Sequence, residues 1–176
     1  FYQSAMNVYA PIGAMKVMGA PTSAAGALQM PRTIITIFLP TIAGVWVGKK
    51  ASNAWKAMVV GTLFVAVPMA VMGFTTPSTS IIIYFVALTI TGIAESYRFV
   101  SITPSAQATL QPADMGVGTS LVNFVNSLAN TIAATVFGVA YNLSTSADPT
   151  NVAYIQNGVN SVFRLAAIVA VIGLVL

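Results

Sequence analysis

Charge is what this chain has least of: only 6% of its 176 residues are Asp, Glu, Lys or Arg. A soluble domain keeps about a quarter of its residues charged to face water. A chain with so few charges, 57% apolar and with a mean hydropathy of +0.86, has lipid as its solvent. Cysteine is absent, which excludes a disulfide framework, thiolate chemistry and Cys-based metal sites. Histidine is absent as well, and with it go most zinc, haem and general-base arrangements. Only three acids are present, Glu95, Asp114 and Asp148, far apart in sequence, so a hydrolytic carboxylate pair would need the fold to bring two together. Neither an enzyme nor a cofactor or metal is expected.

The seven Lys and Arg give a pI near 9.6. A nucleic-acid partner is not the reading here, because the basic residues are scattered. Their one cluster, Lys49, Lys50 and Lys56, falls in a break between apolar runs, where the positive-inside rule places charge. No basic start and cleavage site of a signal peptide is present. The chain opens at Phe1 and stops inside the run AAIVAVIGLVL, so it is expected to be an internal piece of a longer polytopic protein.

A spanning helix needs about 20 mostly apolar residues. Breaks rich in Gly, Pro, Ser and Asn divide the chain into six such stretches, at 1–18, 23–47, 55–74, 79–109, 115–141 and 158–176. The fold class expected is therefore all-α, a polytopic membrane bundle of six helices. The one long connection, residues 142–157, is polar and holds Asp148 but no Lys or Arg, whereas GKKASNAWK holds three Lys. Alternating the spans puts the Lys cluster on the cytoplasmic side with the C-terminus, and the acidic connection outside. Lys16, near the outer end of the first span, is the exception. Pro11, Pro31, Pro40, Pro68 and Pro104 fall inside spans, beside Gly13, Gly26, Gly44, Gly61, Gly73 and Gly92, and read as kinks and close packing in helices that bend. Trp46, Trp55, Tyr84 and Tyr141 read as anchors at the membrane interfaces.

Residues 9–32, YAPIGAMKVMGAPTSAAGALQMPR, resemble the pattern Y-x-P-x-x-x-x-x-x-G-x-S-x-x-x-A-G-x-x-x-x-P, with slightly different spacings. That pattern opens the second half of multidrug exporters of the major facilitator superfamily, in the drug:proton antiporter branch with fourteen spans. Downstream, TPSAQATLQPADMGVGTSLVNFVNSLANTIAATVFGVAYN is similar to that family's penultimate long helix and its approach. The resemblance implies that residues 1–176 are the C-terminal six-helix half-bundle of a secondary transporter in a bacterial cell membrane, partnered by an N-terminal half and driven by the proton gradient. In one place the chain departs from the family. Where the basic loop usually reads G-x-x-x-D-R-x-G-R, Gly48 stands in place of the acid, which leaves Lys49, Lys50 and Lys56 as topology determinants.

Charges at membrane depth cost about 2.5–3.5 kcal/mol each on insertion scales, so they tend to face a cavity and act there. Arg32, in the second span, and Glu95 and Arg98, in the fourth, are such charges. Glu95 and Arg98 are three apart on one helix and are expected to pair, either as a structural brace or as a proton- or substrate-linked site. Arg32 has no acid in its own span; it needs Glu95, a carboxylate in the other half, backbone carbonyls or an anionic substrate. Asn123, Asn126 and Asn130, with Ser127 and Thr131, recur at threes and fours and share one face, which reads as interhelical glue or as the wall of a polar cavity. Gln3 and Asn7 form a shorter stripe on the first span, which the resemblance places on the central cavity.

The function these residues imply is proton-coupled export of small drug-like or toxic compounds by alternating access. The alternatives are a specific metabolite or anion transporter of the same superfamily, and a non-transporting membrane receptor or scaffold.

Overall fold

The computed structural model describes residues 1–108 and 110–175, and folds them into six helices without a strand among the described residues. Helix α1 covers residues 2–17, α2 Thr22–Gly48, α3 Ala51–Met72, α4 Ile81–Gln107, α5 Met115–Thr145 and α6 Val152–Val175. The expected span ends at 109 and 176 lie outside the described residues. Helices α2 to α6 are each long and apolar enough to cross a membrane, which makes five candidate spans and not six.

Helix α1 falls short of a span and is irregular. It alternates α-helical turns, Tyr2–Ser4 and Ala10–Ile12, with π-helical stretches, Ala5–Tyr9 and Gly13–Val17. Pro11 supplies the reason for the first widening: it has no N–H to give the Asn7 carbonyl four residues back, and its ring crowds that carbonyl. The helix closes at Gly19, whose φ of +66° suits a residue without a Cβ, and the Ala20 N–H reaches back to the Ala14 carbonyl at 2.9 Å.

Two connections are shorter than their composition predicts. The basic loop contracts to Lys49 and Lys50, because α3 already begins at Ala51 and Asn53 Nδ2 closes the corner on the Trp46 carbonyl at 2.8 Å. Trp55 and Lys56 therefore stand exposed on the first turns of α3. The acidic connection contracts from 142–157 to residues 146–151. Its polar residues act as caps: Asp148 Oδ1 accepts from the Thr150 hydroxyl at 2.7 Å and the Thr150 amide at 2.9 Å, and Asn151 Oδ1 accepts from the Ala153 amide at 2.9 Å. The Thr150 hydroxyl, then its amide, hold the Asp148 carboxyl below the usual carboxylate range.

Helix α4 is the centre of the packing, with α2 along one side and α3 along the other; α3 packs on α6, α6 on α5, and α1 leans on α6 and α5. Close approaches fall at four of the span glycines. A Cβ added at Gly92 would lie 3.0 Å from Arg32 Cα and 3.1 Å from its carbonyl oxygen, while Gly61 faces the stem of Arg98, Gly73 that of Arg164 and Gly13 the ring of Tyr84. Gly26 has open space around it. Tyr84 is not an interface anchor: it is fully buried, edge-on to Phe163 with centroids 6.3 Å apart. Tyr141, on α5, is half-buried against the Tyr9 ring at 5.4 Å and beside Gly158 of α6. The outer surface is apolar, with Ile34, Ile37, Phe38 and Ile42 on α2 and Leu121, Phe124, Leu128 and Ile132 on α5 all exposed, as lipid-facing helices require.

Because the Arg32 backbone cannot yield as a flexible side chain can, Gly92→Val is expected to lower unfolding free energy by about 1–3 kcal/mol through overpacking. Gly26→Ala, with nothing within 4 Å, is expected to be neutral or to gain about 0.5–1 kcal/mol from helix propensity. Unfolding of the two variants in detergent micelles checks both. Equal stability of Gly92→Val and the parent would show that α2 and α4 do not approach closely there.

Candidate functional site

Glu95 sits roughly 21 Å along α4 from Ile81, counting about 1.5 Å per residue. Its partner is Arg32 on α2 and not Arg98. Arg32 Nη2 lies 2.8 Å and Nε 3.0 Å from Glu95 Oε2, and this is the one salt bridge among the described residues. Gln3 Nε2 on α1 donates to the other oxygen, Oε1. The remaining guanidinium nitrogen, Nη1, donates to Asn7 Oδ1 at 2.7 Å and Gln29 Oε1 at 3.2 Å. Three amide side chains, Gln3, Asn7 and Gln29, thus join an ion pair whose side chains keep 11% and 22% exposure, and the five come from three helices.

Local structure makes this convergence possible. Helix α2 is interrupted between its stretches Thr22–Ala27 and Met30–Gly48, just before Pro31. The break turns Gln29 toward α1, where its Nε2 donates to the Met6 carbonyl at 3.0 Å, inside the first π stretch. One amide side chain therefore supports both an irregular backbone and the arginine.

Arg98 does not meet Glu95, because its stem lies along Gly61 of α3 and its guanidinium over the Tyr2 ring, 5.2 Å from the centroid. It has no ion pair or hydrogen bond among the described residues. It lines a half-open cavity of about 430 Å³ whose polar wall also includes Gln3, Thr62, Glu95, Asn126 and Asn130. Val65, Phe99, Ile102 and Val169 supply apolar wall. Asn123 does not reach it. That amide shares a face of α5 with Asn126 and Asn130 and is exposed, but it lies outside the cavity lining that those two join. Neither Asn7 nor Arg32 lines the cavity: Arg32 pairs with Glu95, which does, and Asn7 accepts from Arg32.

A second polar cluster lies at the opposite end of α3. Gln156 Nε2 donates to the Thr75 carbonyl at 2.9 Å and to Asn160 Oδ1 at 2.8 Å, and Asn160 Nδ2 donates to the same carbonyl at 2.8 Å. Arg164 Nε donates to the Gly73 carbonyl at 2.7 Å, with its guanidinium 4.6 Å from the Phe74 centroid. Sequence reasoning missed this cluster and Thr62. The spacing of four between Gln156, Asn160 and Arg164 was a usable signal, hidden because 142–157 reads as a loop.

The chain is similar to the Multidrug resistance protein 3 of Bacillus subtilis (strain 168), 24% identical over 133 residues, which are 76% of this chain and 26% of that protein. The similarity is a distant homology, and the matched region spans about a quarter of the relative's length. No family model and no solved structure matches the chain significantly.

Arg32→Ala leaves Glu95 buried without its cation, and Glu95→Ala leaves Arg32 without its anion. Each is expected to cost about 3–5 kcal/mol of unfolding free energy. The double variant removes both charges and is expected to cost clearly less than the sum. A double-mutant cycle by unfolding in micelles measures the coupling, and additive losses would mean that the pair does not hold the helices together.

Proposed function

We propose that the chain forms the C-terminal half of a secondary active transporter of the major facilitator kind, which exports small drug-like or toxic compounds in exchange for protons. The observation that carries this reading is the cavity at membrane depth: inside helices whose outer faces are apolar, it gathers Gln3, Glu95, Arg98, Asn126 and Asn130 from three helices. A receptor or scaffold has no need of such a collection, because intramembrane charge is costly where it does nothing. The distant similarity to a multidrug resistance protein supports the same reading.

The proposed mechanism is alternating access, in which this bundle and an N-terminal half rock about the cavity. Glu95 is the coupling acid. Its Oε2 binds Arg32 of α2 and its Oε1 binds Gln3 of α1, so a proton added to this carboxylate weakens the ties from α4 to two helices at once. Helix α1, whose π stretches break regular α-helical bonding, is the element that moves. Arg98, matched by no acid in the chain, favours an anion as the second reading of the substrate.

Glu95→Gln separates coupling from bracing. The variant of the full-length parent in vesicles, in which the Gln amide oxygen can still accept from Arg32, is expected to lose proton-driven transport while it still folds, at reduced stability, and binds substrate. Proton-driven transport at the parent's rate would remove Glu95 from the coupling role. Topology has its own test, and the chain's lack of cysteine keeps it clean. With Asp148→Cys and Lys50→Cys made singly, an impermeant thiol reagent applied outside is expected to label position 148 and spare position 50; the opposite pattern inverts the bundle.

A further inference from the structure

We infer that the cavity binds a small amphiphilic oxyanion, a carboxylate or sulfonate on an apolar body, with the anionic group on Arg98. This rests on the transport reading above and names its substrate class. The argument begins with charge. The whole sequence has three acids. Asp148 lies in the 146–151 turn and Asp114 at the start of α5, both at helix ends. Glu95 is taken up, with one oxygen held by two nitrogens of Arg32 and the other by Gln3. No acid of this chain is left for Arg98.

Arg98 nevertheless stands roughly 25 Å along α4 from Ile81 at about 1.5 Å per residue, well inside the helix. A guanidinium at that depth without an anion is costly. It is also held in place, because Gly61 leaves room for its stem and Tyr2 supports its charged end at 5.2 Å. The planar fork of donors suits an oxyanion's two oxygens, and its delocalised charge is more weakly hydrated than an ammonium. Asn126 and Asn130 of α5 line the same cavity and offer further amide donors. Phe99, Ile102 and Val169 form the apolar wall that an aromatic or alkyl body needs. The bound anion would complete at Arg98 the neutralisation that Arg32 performs at Glu95.

The test compares three probes of one shape: 1-naphthaleneacetate, its methyl ester, and 2-(1-naphthyl)ethylammonium. Binding is measured by calorimetry on the full-length parent in nanodiscs of zwitterionic lipid, so that anionic headgroups do not compete. The acetate is expected to bind at least about tenfold more tightly than the ester, as a charge-assisted contact allows, with the ammonium weakest. Arg98→Gln is expected to remove the acetate's advantage over the ester when both are measured on that variant, and Arg98→Lys to keep part of the preference. If the ester or ammonium equals or exceeds the acetate, or the acetate's advantage survives Arg98→Gln, the anion assignment is wrong and the transport reading stands. If none of the three binds, the cavity is not a ligand site and both fail.

Discussion

Arg32 and Glu95, held at 2.8 Å within the bundle, set conditions that much of the structure then meets. In water such a pair would contribute about 0–1 kcal/mol. Inside an apolar bundle, where Arg32 is buried and Glu95 opens only onto the cavity, each ion dictates where the other's helix must lie. Helix α4 brings the acid, α2 the base, and α1 the two amides that take up what the pair leaves over. Gly92 follows from the same requirement, since α2 and α4 approach at the Arg32 backbone itself. So does the break before Met30, which turns Gln29 inward beside the arginine.

Irregular backbone inside a bilayer is tolerated only where protein covers it. Helix α1, which falls short of a span, is covered on one side in this way: its π stretches lie against α6 and α5, and the Met6 carbonyl is met by Gln29. The bundle is fastened at two heights: at mid-depth by the ion pair, and at the far end of α3 by Thr75, Gln156, Asn160 and Arg164. Gln156 Oε1 remains buried without a partner, the one such atom among the described residues. Between the two fastenings, α5 packs mainly on α6, and its polar face stays partly open.

Composition and hydrophobic patterning alone settle the class of molecule, because lipid leaves a chain few choices: backbone polar groups must pair within helices, and charge must be rare. Helix type, the place of Lys49 and Lys50 in a break and the shared face of Asn126 and Asn130 all follow from period and spacing, whereas Lys56 falls on α3. Helix ends do not. Polar residues at 142–145 and 152–157 look the same whether they face water or cap a helix or fill a core, and only the contacts to Thr75 and Tyr141 show which they do. Tyr84 misleads in the same way, as tyrosine suits both an interface and a buried site with a hydroxyl partner.

Pairing of the charges is what tertiary structure decided. Spacing along one helix made Glu95 and Arg98 natural partners, yet local spacing measures only what a side chain can reach, not what competes for it. Arg32, 63 positions away in sequence, wins Glu95 because the Gly92 contact brings α2 against α4. That choice leaves Arg98 on a cavity wall without an anion. The sequence by itself determined that few charges would stand among these helices; which of them neutralise each other, and which faces the cavity alone, depended on how closely two backbones could approach.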